Sequence, residues 1–175
     1  MEFSSASQLG DPAEADHSTL SSSASVPVTA LRLDLKVDFA AQRIFGDAEY
    51  TVSRSPDGDA ELVLDTHSLE VKSVALDGRL AEWSLDAPHA ALGTALRVKL
   101  SGPAADGGAP HKVTIRYSTT AGAGAIQWLP PAQTSGKQHP FMFTQCQAIH
   151  ARSLLPCQDT PRVKVPYTAT IRVAV

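Results

Sequence analysis

The sequence predicts a mainly β domain, an antiparallel sheet or sandwich. Three observations carry that expectation. Leu31, Leu33, Leu35, Val37 and Phe39 alternate without error with Arg32, Asp34, Lys36 and Asp38, which is the period of a strand with one buried and one wet face. Short apolar runs then recur at close spacing, separated by Gly, Pro, Asp and Ser. No segment shows the repeat of an amphipathic helix.

Taken in order, the strand at 31–39 is followed by Ala40-Ala41-Gln42-Arg43, a connection short enough for a hairpin, and by 44–52, where Tyr50, Thr51 and Val52 favour extended backbone. Ser55-Pro56-Asp57-Gly58 predicts a turn, because Pro presets φ at the second position and Gly tolerates positive φ at the fourth. Further strands are predicted at 61–65, 69–76, 80–85, 95–100, 113–117 and 167–175, with Asp77-Gly78 as a hairpin signal between the second and third of these. Gly and Pro at 101–110 predict a mobile surface loop. From Thr119 the texture changes to a long stretch dense in His, Gln, Cys and Pro without simple periodicity, the kind of irregular segment on which sites sit. Alternation resumes at Ala169, Ile171, Val173 and Val175 and meets no turn or polar tail. The expectation is therefore a domain cut before its last strands, with an open sheet edge.

With 175 residues, 43% of them hydrophobic, the chain has material for one core and hardly for two. A formal net charge of -3 without clustered Lys or Arg provides no footprint for nucleic acid or an anionic membrane surface. No apolar run approaches the roughly 20 residues of a membrane span. Residues 1–27 are rich in Ser and Ala, carry Glu2, Asp11, Glu14 and Asp16, and contain no Lys or Arg, so they fit neither a secretory signal nor a transit peptide. They are expected to form a disordered extension of a cytoplasmic chain. Cys146 and Cys157, the only cysteines, are expected to be reduced thiols.

Chemistry-bearing patterns are sparse. The six histidines are scattered, and no pair stands four residues apart with an acid between. The one local cluster, His139, Cys146, His150 and Cys157, matches no zinc-finger spacing, so no metal site is expected. Cys146 with His150 would reach a nucleophile–base geometry only on a helix, whereas its Phe and Met neighbours favour extended chain and a buried thiol. The glycines at 107–108 and 122–124 lead into neither Lys-Ser nor a helix and predict no phosphate cradle. Gln145 and Gln147, if in a strand, share a face and offer two amides to one cleft. Such groups recognise a peptide amino end or backbone, or simply hydrogen-bond neighbouring loops, and on residue chemistry both readings stand.

The run Gln133-Thr-Ser-Gly-Lys-Gln-His-Pro140, continued by Phe141-Met-Phe-Thr-Gln-Cys-Gln-Ala-Ile-His150 and Leu155-Pro-Cys-Gln-Asp-Thr-Pro161, resembles the N-terminal domain of the M1 zinc aminopeptidases, the family of leukotriene A(4) hydrolase and aminopeptidase B. Leu62-Val-Leu-Asp-Thr66 and Ala125-Ile-Gln-Trp-Leu129 match it as well, and the resemblance runs over 28–175. It implies a saddle-shaped β domain packed over a zinc domain, with Gln145, Cys146 and Gln147 as the peptide-binding stretch and Gln147 as the direct contact with the substrate's amino end. The family's His-Glu-x-x-His helix, second Glu ligand, catalytic Tyr and Gly-Gly-Met-Glu-Asn motif have no counterpart here. The resemblance thus implies zinc in the complete enzyme, and neither metal nor catalytic residue in this chain. The expected function is that of a cleft-lining N-terminal fragment of a zinc aminopeptidase, inactive alone, and the resemblance to leukotriene A(4) hydrolase extends the expectation for its parent to an epoxide hydrolase activity. The alternative is a genuine short, non-catalytic peptide-binding or interaction module.

Overall fold

A computed structural model of the chain describes residues 16–53, 61–100 and 109–173. The turn expected at Ser55-Pro56-Asp57-Gly58 and most of the loop expected at 101–110 lie outside the described residues. The strands are β1 (Val28–Asp38), β2 (Arg43–Val52), β3 (Glu61–Thr66), β4 (Leu69–Leu76), β5 (Arg79–Leu80), β6 (Trp83–Leu85), β7 (Thr94–Lys99), β8 (His111–Thr119), β9 (Ile126–Leu129), β10 (Phe141–Thr144) and β11 (Tyr167–Val173). Among the described residues, helix is limited to single 3-10 turns at Pro131–Gln133 and Ala151–Ser153.

A six-stranded sheet in the order β11-β1-β2-β8-β4-β5 faces a three-stranded sheet, β3-β7-β6. The alternation read from the sequence supplies the contact: Leu33, Leu35 and Val37 of β1, Ile44, Ala48 and Tyr50 of β2, and Val113, Ile115 and Tyr117 of β8 meet Leu62 and Leu64 of β3 and Leu96 and Val98 of β7 in one buried cluster. Asp77 and Gly78 both have positive φ, 48° and 79°, as a two-residue hairpin turn with the native strand twist requires. That turn sets Leu76 opposite Arg79 and Ala75 opposite Leu80.

Three details differ from the sequence reading. First, β11 pairs with β1 in parallel, so the large sheet is mixed. It arrives from a long irregular segment instead of a hairpin, and only a hairpin would have enforced the antiparallel direction. Second, the strand expected at 80–85 is divided between sheets: Ala81 N–H still donates to Val74 O in the large sheet (3.0 Å), whereas Glu82 O accepts from Lys99 N–H in the small one (3.1 Å). Third, the disorder expected for 1–27 does not hold for residues 16–27. Val63 points away from the main core and is buried nonetheless, because Ser22 lies along it: Ser22 N–H donates to Val63 O at 3.2 Å and Val63 N–H to Ser22 Oγ at 2.9 Å. Apart from Val26, which enters the core, the segment binds through polar groups, so no apolar periodicity announces it.

Gly46 stands opposite Leu35 on one side and Tyr117 on the other. A Cβ there would come within 2.6 Å of Leu35 Cδ2 and 3.0 Å of the Tyr117 ring. Gly46→Ala is expected to destabilise the domain by about 1–3 kcal/mol through overpacking, read as a lower denaturant midpoint at unchanged m-value.

Candidate functional site

The irregular stretch after β8 is organised by the β9–β10 hairpin, which pairs Trp128 with Met142 and Leu129 with Phe141. Trp128 packs edge-on against Phe39 with ring centroids 5.5 Å apart, tying the hairpin to the end of β1. Met142 turns toward the core, so its neighbours Phe141 and Phe143 point outward, 54% and 43% exposed, and their rings stack at 6.2 Å. In the loop between the strands, Thr134 Oγ1 lies 2.9 Å from Pro131 O and 3.0 Å from His139 O. That closed loop shapes an open groove of about 510 Å³, lined by Leu129, Gln133, Thr134, Gly136, His139 and Phe141.

β10 ends at Thr144, and the expected site residues follow directly. Gln145 N–H donates to Ala125 O (2.8 Å), extending the hairpin alignment by one residue. The chain then turns: Gln147 N–H donates to Gln145 Oε1 (3.1 Å), His150 N–H donates to Cys146 O (2.9 Å), and the Gln147–Ala148 peptide bond is cis. Gln145 and Gln147 are therefore not the equivalent same-face pair of a strand. Gln145 uses its amide oxygen to fix the turn, while the exposed Gln147 makes no side-chain hydrogen bond among the described residues. Cys146 lies half-buried against the core, and burial, with the charge of Asp159, pushes its thiol up. Cys157 is raised further by burial and by Asp159 and Asp65. Both cysteines are free, and protonated thiols are poor nucleophiles.

The turn is anchored by a buried ionic joint that the sequence reading missed. Asp65, at the end of β3 and 0% exposed, accepts from Thr19 Oγ1, from Leu20 N–H (2.7 Å) and from Asp159 N–H (3.0 Å). Arg152, 2% exposed, lies 3.6 Å from Asp65 Oδ1 and donates to Asp159 Oδ2 (3.0 Å), Leu92 O (2.8 Å), Ser18 O (2.7 Å) and Asp159 O (2.9 Å). Asp65 and Cys157 also exchange both backbone hydrogen bonds, at 2.7 and 3.1 Å. The available signal was an acid closing the apolar run Leu62-Val63-Leu64 and an Arg just before Leu154-Leu155. A charge in such company is rarely buried without a partner.

Among the described residues no three His, Cys, Asp or Glu side chains come together in a way that could hold a metal ion, so His139, Cys146, His150 and Cys157 do not form a donor set. A zinc of the kind the resemblance implies finds no such donor set among the described residues. No helix among the described residues is long and apolar enough to cross a membrane.

Comparison with known proteins gives a consistent result. The family described as the Peptidase M1 N-terminal domain matches residues 26–175. The chain is similar to a leukotriene A-4 hydrolase homolog of Botryotinia fuckeliana, 47% identical over 79% of this chain and 22% of the relative. It is likewise similar to leukotriene A-4 hydrolase of Xenopus laevis, 39% identical over 91% of this chain and 26% of the relative, and to leucine aminopeptidase 2 of Sclerotinia sclerotiorum, 45% identical over 79% and 23%. The solved structure of native yeast leukotriene A4 hydrolase superposes with a TM-score of 0.83 at 35% identity, covering 94% of this chain and 25% of that one. The chain thus spans about a quarter of the length of the curated relatives it matches.

Two outcomes are expected from the joint. Asp65→Asn places an amide NH2 among donors and removes a charge facing Arg152, and should cost about 3–5 kcal/mol of stability, measured by chemical denaturation. Asp16 is held at about 2, below its ordinary 3.8, by hydrogen bonds from the Ser18 and Thr160 hydroxyls. A carboxyl depressed in the folded state adds stability that is complete above 3.8 and disappears as the pH falls through about 2. Asp16→Asn should accordingly flatten the loss of stability across that window in an acid titration of the melting temperature.

Proposed function

Because the chain belongs to the M1 peptidase family through its N-terminal domain, we propose that it forms a non-catalytic wall of the substrate cleft of a zinc aminopeptidase. In this reading Gln145, Cys146 and Gln147 form the peptide-binding stretch, and Gln147 makes the direct contact with the amino end of a peptide. The observation that carries the reading is an exposed Gln147 amide without a side-chain partner among the described residues, on a turn whose backbone is fixed by Gln145, Ala125 and His150. Such an amide accepts a hydrogen bond from an α-ammonium group and donates one to a peptide carbonyl, and it neither adds nor removes the proton that hydrolysis requires. The stacked Phe141 and Phe143 supply an apolar wall beside it.

Zinc and the acid–base groups belong, in this proposal, to another part of the complete enzyme, and this chain is inactive without it. The epoxide hydrolase activity that the family resemblance brings would be a second use of the same wall. The charge distribution supports a partner other than nucleic acid or membrane.

In the complete enzyme, Gln147→Ala is expected to lower kcat/KM for short peptides about tenfold, the scale of a hydrogen bond to a charged group, with zinc content unchanged. Unaltered kinetics across several peptides would remove Gln147 from the site. The purified chain supplemented with zinc is expected not to cleave an aminoacyl-arylamide, and sustained cleavage through purification would overturn the division of labour.

A further inference from the structure

We propose that Arg152 is a positioning residue for the peptide-binding turn, acting on substrate affinity through Gln147; this rests on the reading of Gln147 as a substrate contact. Arg152 lies five residues beyond Gln147, in the 3-10 turn that follows the site directly. Its guanidinium joins four separate pieces of chain: Ser18 of the N-terminal segment, Asp65 at the end of β3, Leu92 of the turn before β7, and Asp159. Its backbone is held as firmly, because its N–H donates to Asp159 Oδ2 (3.1 Å) and its carbonyl accepts from His67 N–H (2.9 Å). The site turn is thereby clamped at both ends, by Ala125 before it and by Arg152 after it, whereas Gln147 itself is exposed and has only a local backbone contact.

Bond geometry explains why the residue is Arg. One planar fork reaches Asp159 through Nε, Leu92 through Nη1 and Ser18 through Nη2, directions that a single ammonium cannot serve together. Arg152→Lys therefore keeps the charge opposite Asp65 and Asp159 but loosens the link to the neighbouring backbones. Arg152→Ala is the wrong probe, since it would leave two carboxylates without their cation.

The test uses the complete enzyme and short peptides with a free amino end, comparing the wild type with Arg152→Lys, Gln147→Ala, the double variant, and Gly46→Ala as a control that weakens the same domain elsewhere. Zinc content and thermal unfolding are recorded for each. The expected result is that Arg152→Lys raises KM by about tenfold, as a displaced binding group does, with kcat within about twofold, and that the double variant is no worse than Gln147→Ala alone. Gly46→Ala should lower only the amount of active enzyme. If Gln147→Ala raises KM while Arg152→Lys merely lowers apparent kcat, as loss of folded protein would, the positioning role is overturned and the site reading survives. If Gln147→Ala leaves both kcat and KM unchanged, the site reading fails and the positioning role fails with it.

Discussion

The fold turns on a buried carboxylate. Asp65 lies near the end of a strand whose Leu62, Val63 and Leu64 are also buried, and at 0% exposure its charge has no water to solvate it. A lone carboxylate there would be prohibitive, so the surrounding chain must bring donors to it. It does so from two distant places: Thr19 and Leu20 from before β1, and the irregular segment, which brings Asp159 N–H and Arg152 as the countercharge. Each donor is useful only when the others are present, since a partly satisfied buried network is worse than an apolar core. That mutual dependence is the physical reason why residues 16–20 and 152–159 are ordered together.

Neighbouring contacts extend the same logic outward from the joint. Tyr50, buried in the main core, donates its hydroxyl to Pro156 O at 2.5 Å, and Gln158 accepts from Val28 N–H (3.0 Å) while donating to Val26 O (2.7 Å). A segment without regular structure is thus hydrogen-bonded into a sandwich at intervals of a few residues, which satisfies the backbone groups that a sheet would otherwise have paired. Beside it, Tyr117 lies under the bare backbone of Gly46, and its hydroxyl finds no hydrogen-bond partner among the described residues.

The proposed recognition surface and the rigid joint lie on opposite sides of this segment. The inner side carries Arg152, Ser153, Gln158 and Thr160, all buried. The outer side carries Phe141, Phe143, Gln145 and Gln147, all exposed. A binding group gains from this arrangement because the entropy of fixing its backbone has been met during folding and is not charged again to the ligand. The family's chemistry is proposed for elsewhere in the complete enzyme, and the proposed contribution of this chain is a preorganised surface.

Much of the β architecture was legible in the sequence, because period-two alternation reports directly which face of a strand is buried: Leu33, Leu35 and Val37 are inside where the pattern puts them, and Asp77-Gly78 forms the turn its dihedral preferences demand. The run around Gln145–Gln147 was legible as a distinctive motif, and so was the family. Other features had no local signal. The parallel direction of β11 depends on where a long connection ends, and the split at Ala81-Glu82 depends on which sheet each half meets. The order of residues 16–27 and the burial of Arg152 depend on partners more than 40 residues away along the chain. Local preferences act within a few residues and determined the strands, whereas the partners of a buried charge are chosen by three-dimensional proximity, which only the folded chain possesses.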